Sequence, residues 1–244
     1  IRQSSLFQNS LTLLKLVLIL GFIVAGLTMT TEYEALDWSG KWQEELLLPA
    51  AAVSLVYVTY SYTGWNAAAY IVEDIEQPAR NLPRGLIYGT LIVVVLYELL
   101  QLVFLKNASY GQLSGQLEIG QVVAVNLFGL RGGQLVSTAI ALFLLSSVSA
   151  MIWVGPRVSL VMAEDHALWR FLKYKNEHEV PVRAVWFQSA ISLLMIATGT
   201  FEQVLLYCGF ILQLFSALSV AGAIKLRLAG ADLPYRSPAY PWMP

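Results

Sequence analysis

The sequence predicts an all-α integral membrane protein with six transmembrane helices, and three observations carry that expectation. Of its 244 residues, 57% are hydrophobic and only 13% charged, where soluble domains run at about a quarter charged. Six stretches reach or approach the ~20 apolar residues that a helix needs to cross the hydrocarbon core. The basic residues also collect on alternate connections between those stretches. The same composition excludes several functions. A net charge of −1 leaves no global field to hold nucleic acid. A single cysteine, Cys208, rules out an intrachain disulfide framework or a cysteine-cluster metal site. His166 and His178 form no ligand spacing, so no metal or cofactor is expected.

Span one is Leu11–Met29, interrupted by Lys15. Span two, Leu46–Val72, carries no charge, and span three, Gly85–Leu105, contains Glu98. Span four, Gly133–Pro156, is again uncharged. Span five, Ala184–Phe201, is short, and Glu202 joins it to span six, Gln203–Ile224, as a helical hairpin. Between spans two and three, Glu73–Arg84 reads as a loop in which Pro78 and Pro83 stop helices. Eleven Lys and Arg lie in the N-terminal lead, the 73–84 and 157–183 loops and the tail. Only Lys41, Lys106 and Arg131 lie in the opposite set. Since cytoplasmic loops retain positive charge, both ends of this segment are expected in the cytoplasm. No signal peptide is visible after Arg2. The missing initiating methionine and the Pro- and aromatic-rich close at 235–244 read as a fragment of a longer chain.

Several residues are poorly suited to lipid. The centre of span two reads Thr59-Tyr-Ser-Tyr-Thr-Gly-Trp-Asn66. Gly64 follows β-branched Thr63, and Ser61 and Thr63 can bond the backbone themselves. Either the helix breaks here and lines a cavity, or the small residues form a packing face between helices. Lys15 is either a snorkelling lysine or a buried ammonium standing where a coupling cation would bind. Glu98 and Gln101, spaced i,i+3, form a polar stripe with Tyr97. This is a candidate polar pathway, or else a protonated acid bonded to a neighbouring helix. Ser146 and Ser149 share one face of span four and suit interhelical hydrogen bonds. Gly155-Pro156 marks a kink or an end, and Trp153, Trp186 and Trp242 suit the membrane interfaces. Asn107-Ala-Ser109 is a glycosylation sequon by pattern alone.

Tyr60-Ser-Tyr-Thr-Gly-Trp-Asn-Ala-Ala-Ala-Tyr-Ile-Val-Glu-Asp74 followed by Gln77-Pro-Ala-Arg-Asn-Leu-Pro-Arg84 resembles the amino acid–polyamine–organocation superfamily of permeases. Supporting matches are the Lys15 span, Gly155-Pro-Arg157 before Met162-Ala-Glu-Asp165, and Tyr235-Arg-Ser-Pro-Ala-Tyr-Pro. Gln77, Asp74 and Pro156 depart from the usual Asn, Glu and small residue. The resemblance implies a five-plus-five inverted repeat, of which the six spans are helices five to ten. Residues 1–29 would hold the last helix of the first repeat and 30–45 an external loop. Residues 46–224 would form the second repeat, and 225–244 the lead-in to a further helix. Tyr60–Gly64 (Tyr60, Ser61, Tyr62, Thr63, Gly64) would be an unwound segment whose carbonyls receive a substrate α-ammonium. Tyr60 would be an aromatic gate, with Trp65 and Asn66 bordering the side-chain pocket. The glycine-rich first helix of that family is absent from this sequence, so the missing N-terminal helices of the parent protein would complete the site. Lys15 would occupy a sodium position, faced by Ser147 or Ser149.

The expected function is therefore transport of amino acids or related amines by alternating access, in a multi-pass protein of the plasma (cell inner) membrane. Sodium independence is expected, with proton coupling or exchange. The expected partners are an amino acid substrate, protons and the lipid bilayer. A helical scaffold or subunit is the alternative, and a membrane-embedded enzyme a more distant one, because no nucleophile–base pair or phosphate loop is present.

Overall fold

The computed structural model describes residues 2–29, 46–72, 75–177 and 180–230. The 30–45 connection, the Glu73–Asp74 pair, His178 and the tail from 231, Trp242 included, lie outside the described residues. Helices are α1 (Arg2–Thr28), α2 (Pro49–Ser61), α3 (Asn66–Tyr70), α4 (Pro78–Asn107), α5 (Tyr110–Leu113), α6 (Ile119–Asp165), α7 (Val182–Thr198) and α8 (Phe201–Leu228). A 3-10 turn, Ala167–Lys173, follows α6. Among the described residues there is no strand. Among the described residues, four helices are long and apolar enough to cross a membrane, within α1, α4, α6 and α8, and α7 is a shorter apolar helix. Span two is the exception, because it is divided into α2 and α3.

Two expectations drawn from proline chemistry change, and one connection proves structured. α4 begins at Pro78 and runs through Pro83, so the 78–84 stretch is helix rather than loop. Proline at the first helical position needs no N–H partner there, and Pro83 forgoes a single bond, to the carbonyl four residues back. Similarly, α6 continues past Gly155-Pro156 to Asp165. Pro156 is fully buried, so packing holds the helix where local preference alone would end it. The 106–132 connection is also structured. It contains α5 and the first turns of α6, which break at Gly129 (φ 73°, ψ −179°). Beyond that break, 130–165 runs for roughly 54 Å, well over the ~30 Å hydrocarbon thickness.

The chain packs as two compact units, one of 1–39 with 91–153 and the other of 40–90 with 154–244. In the first, Phe22, Ile23, Leu96, Val103, Val123 and Leu127 form the core. Phe22 meets Phe104 and Phe128 edge to face, with centroids 6.3 Å apart in each case. Gly26 allows α4 to approach α1, since a Cβ there would overlap Val103. The closing turn of α1 leaves carbonyls without intrahelical donors, and the end of α4 supplies them. Asn107 Nδ2 donates to Gly26 O at 2.9 Å and to Val103 O at 2.8 Å, and Lys106 Nζ donates to Leu27 O at 2.6 Å. Asn126 Nδ2 donates in turn to Asn107 O and Gln112 Oε1. Fully buried and so engaged, Asn107 has no room for a glycan in this fold.

In the second unit, Ala163, Leu172 and Ala184 are buried beside Trp169 and Phe187. Trp169, Phe171 and Phe187 form a ring cluster. Arg183 lies over the Tyr174 ring at 4.8 Å and donates to Phe171 O. The α7–α8 join is the tight one expected: Gly199 ends α7, and Thr200 starts α8 with a reciprocal capping box to Gln203. Trp153 and Trp186 are exposed.

Replacing Asn107 by Ala leaves the Gly26 carbonyl buried without its donor. The expected cost is about 1–3 kcal/mol, read as a lower unfolding temperature of the protein in detergent micelles or nanodiscs. An unchanged unfolding temperature would show that the Asn107 bonds contribute nothing.

Candidate functional site

The division of span two is local chemistry accumulating over eight residues. Thr59 Oγ1 donates back to Leu55 O (2.8 Å) and Val56 O (3.0 Å), and Ser61 Oγ to Tyr57 O (3.0 Å). Such bonds compete with the helical ladder. Tyr62 leaves helical geometry at φ −94°, ψ 5°. Gly64 then takes φ +112°, which a residue with a Cβ adopts only under strain. The chain resumes as helix at Asn66. Asn66 secures the restart: its Oδ1 accepts from Gly64 N at 3.2 Å, and its Nδ2 donates to Tyr70 OH at 2.7 Å.

The bonding of this turn separates its carbonyls. Thr59 O accepts from Tyr62 N, and Tyr60 O accepts both Thr63 N (3.0 Å) and Thr63 Oγ1 (2.6 Å). Gly64 O and Trp65 O accept from Ala67 N and Ala68 N. Among the described residues, the Ser61 and Thr63 carbonyls take no backbone N–H bond outside a helix. They are hydrogen-bond acceptors at the end of a half-helix, suited to a cation or an ammonium group. Tyr60, Tyr62, Thr63 and Asn66 are half-buried, while Trp65 is exposed.

α8 stands directly against this segment. Glu202 Oε1 accepts from Tyr57 OH at 3.0 Å. Gly209 is buried with Tyr60 and Val56 over it. Gln213 Nε2 donates to Thr59 Oγ1 and, at 3.5 Å, to Val56 O. None of these was singled out for a site in the sequence, where Glu202 is read only as the join between spans five and six. The signal available was Gln213 itself, an amide in an otherwise apolar run.

In the other unit, Lys15 Nζ donates to Ser147 Oγ at 3.1 Å, and Ser147 Oγ donates on to Phe143 O at 3.2 Å. Of the two serines expected to face Lys15, the structure pairs Ser147. Ser149 lies two residues on, about 200° around the helix, and is exposed. Ser146 is buried. Glu98 and Gln101 are exposed on α4, on the side away from buried Leu96, Val103 and Asn107. Among the described residues, no group of three or more His, Cys, Asp or Glu could hold a metal ion.

A profile described as amino acid permease matches residues 1–243. The human b(0,+)-type amino acid transporter 1 is 27% identical, with 96% of this chain matched to 48% of that protein. The serine/threonine exchanger of Bacillus subtilis is 26% identical over 78% of this chain and 45% of its own length. The human large neutral amino acids transporter small subunit 2 is 24% identical over 96% and 44%. The chain thus spans about half the length of the curated relatives it matches. With its apolar helices and its match along almost the whole length, the chain belongs to the amino acid permease family and is a multi-pass membrane protein.

Proposed function

We propose that this chain forms half of a transporter that carries amino acids across the plasma membrane by alternating access. The break between α2 and α3 is the observation that carries this reading. It sets acceptor carbonyls at the middle of an apolar span, where exposed backbone is tolerated only beside protein or a cavity. The Ser61 and Thr63 carbonyls receive the substrate's α-ammonium, Tyr60 closes over it, and Trp65 and Asn66 border the side chain. Tyr62 and Gly64 shape the turn. The substrate's carboxylate is held by helices of the parent protein outside this sequence, and residues 46–224 act as the second of two inverted repeats. Both ends of the segment are cytoplasmic, in keeping with its basic loops. Names of relatives that include a neutral amino acid transporter and an exchanger support an amino acid substrate.

Lys15 takes the place of a coupling cation. A protonated amine donating to Ser147 satisfies the same hydroxyl that would otherwise face a metal ion. Transport accordingly proceeds without sodium, by proton coupling or exchange. The polar stripe of Glu98 and Gln101 is a candidate route for protons.

Two outcomes are expected of the full-length protein in proteoliposomes. Uptake of radiolabelled L-leucine, L-serine or L-arginine is equal in sodium and choline buffers, and Lys15→Ala abolishes its response to a pH gradient or to internal amino acid. Undiminished gradient-dependent uptake by that variant would remove Lys15 from the coupling step. In a cysteine-free background, Ser61→Cys is alkylated by a thiol reagent and protected by the transported amino acid. Labelling indifferent to substrate, with no uptake by the parent, would favour the scaffold reading.

A further inference from the structure

We propose that Gln213 of α8 is a positioning residue for the substrate segment, acting through Thr59, and that Gly209 sets the space that Tyr60 occupies. The proposal rests on the reading of the α2–α3 break as the substrate segment. Glu202, Gly209 and Gln213 are spaced seven and four apart and so share one stripe of the helix. Each meets the same half-helix, at Tyr57, at Tyr60 with Val56, and at Thr59 with Val56.

The two lower contacts sit at the last turn before the break. α2 ends at Ser61, so its final carbonyls have no following helical N–H to fix them. Gln213 bonds the Thr59 hydroxyl, and that hydroxyl is itself bonded to the Leu55 and Val56 carbonyls. One amide therefore ties the ladder of α2 to α8 within two residues of the Ser61 carbonyl. A Cβ at Gly209 would lie 3.3 Å from Tyr60 Cδ2 and 3.7 Å from Tyr60 Cβ. The first of these is tighter than ordinary contact, so a side chain at 209 requires the Tyr60 ring to give by a few tenths of an ångström. Gln213 fixes the height and rotation of the half-helix, and Gly209 fixes where the ring stands. Neither residue needs to touch the substrate.

The test is kinetic, with the full-length protein in proteoliposomes and L-serine and L-leucine as probes. Gln213→Leu is expected to raise KM about five- to tenfold, the size of one lost hydrogen bond, with kcat changed less than twofold. Thr59→Val removes the other partner and is expected to give the same KM. The double variant should be no worse than either alone, and Thr59→Ser, which keeps the hydroxyl, should behave as wild type. Gly209→Ala should change the ratio of KM for L-leucine to that for L-serine. Additive effects in the double variant, or losses confined to kcat and protein yield, would reduce Gln213 to packing and overturn the proposal. If instead substrate fails to protect Ser61→Cys in the cysteine-free background with Thr59, Gly209 and Gln213 unchanged, the site reading fails first.

Discussion

Inside hydrocarbon a backbone N–H or C=O has no water to turn to, and leaving one unpaired costs several kcal/mol. A helix interrupted within an apolar span must therefore find substitutes for bonds it gives up, and side chains around the α2–α3 break supply several. Thr63 returns two bonds to the Tyr60 carbonyl. Asn66 takes the Gly64 N–H, and Gln213 ties the last turn of α2 from outside. The Ser61 and Thr63 carbonyls, which take no backbone N–H bond outside a helix among the described residues, are the acceptors assigned to the substrate in the proposed function.

The same constraint governs the first unit at a different point. There the end of α1 rather than its middle needs donors, and Lys106 with Asn107 supplies them. A cation beside the C-terminal carbonyls also suits the helix dipole. Lys15 is satisfied by a side chain: its amine donates to the Ser147 hydroxyl, which in turn donates a hydrogen bond to the Phe143 carbonyl of its own helix. In the proposed function this pairing takes the place of a coupling cation.

Much of this was legible in the sequence, for identifiable reasons. Long apolar runs have few alternatives to helix, so α1, α4, α6 and α8 fall where hydropathy places them. The break was legible only as a choice between a cavity and a packing face. Both draw on Gly, Ser and Thr, and hydropathy does not separate them. Motif resemblance pointed to Tyr60–Gly64, whereas the helix persists through Ser61 and the break falls at 62–65, with the Gly64 dihedral inside it. Pro78 and Pro83, and the helix end allowed for at Pro156, misled because proline's effect depends on its helix position and on burial, neither of which is local. Gln213 and Asn107 stayed hidden because their meaning lies in partners 154 and 81 residues away. Nothing near them in sequence marks a bond of that reach.

The account stands or falls on whether the turn between α2 and α3 is a substrate-responsive break. Amide hydrogen exchange across residues 56–72, measured on the full-length protein in nanodiscs with and without transported amino acid, tests this most directly. The account predicts rapid exchange at Tyr62–Trp65 in the free protein, flanked by slow exchange in α2, and marked slowing on adding substrate. Uniformly slow, helix-like exchange that ignores the amino acid would contradict it.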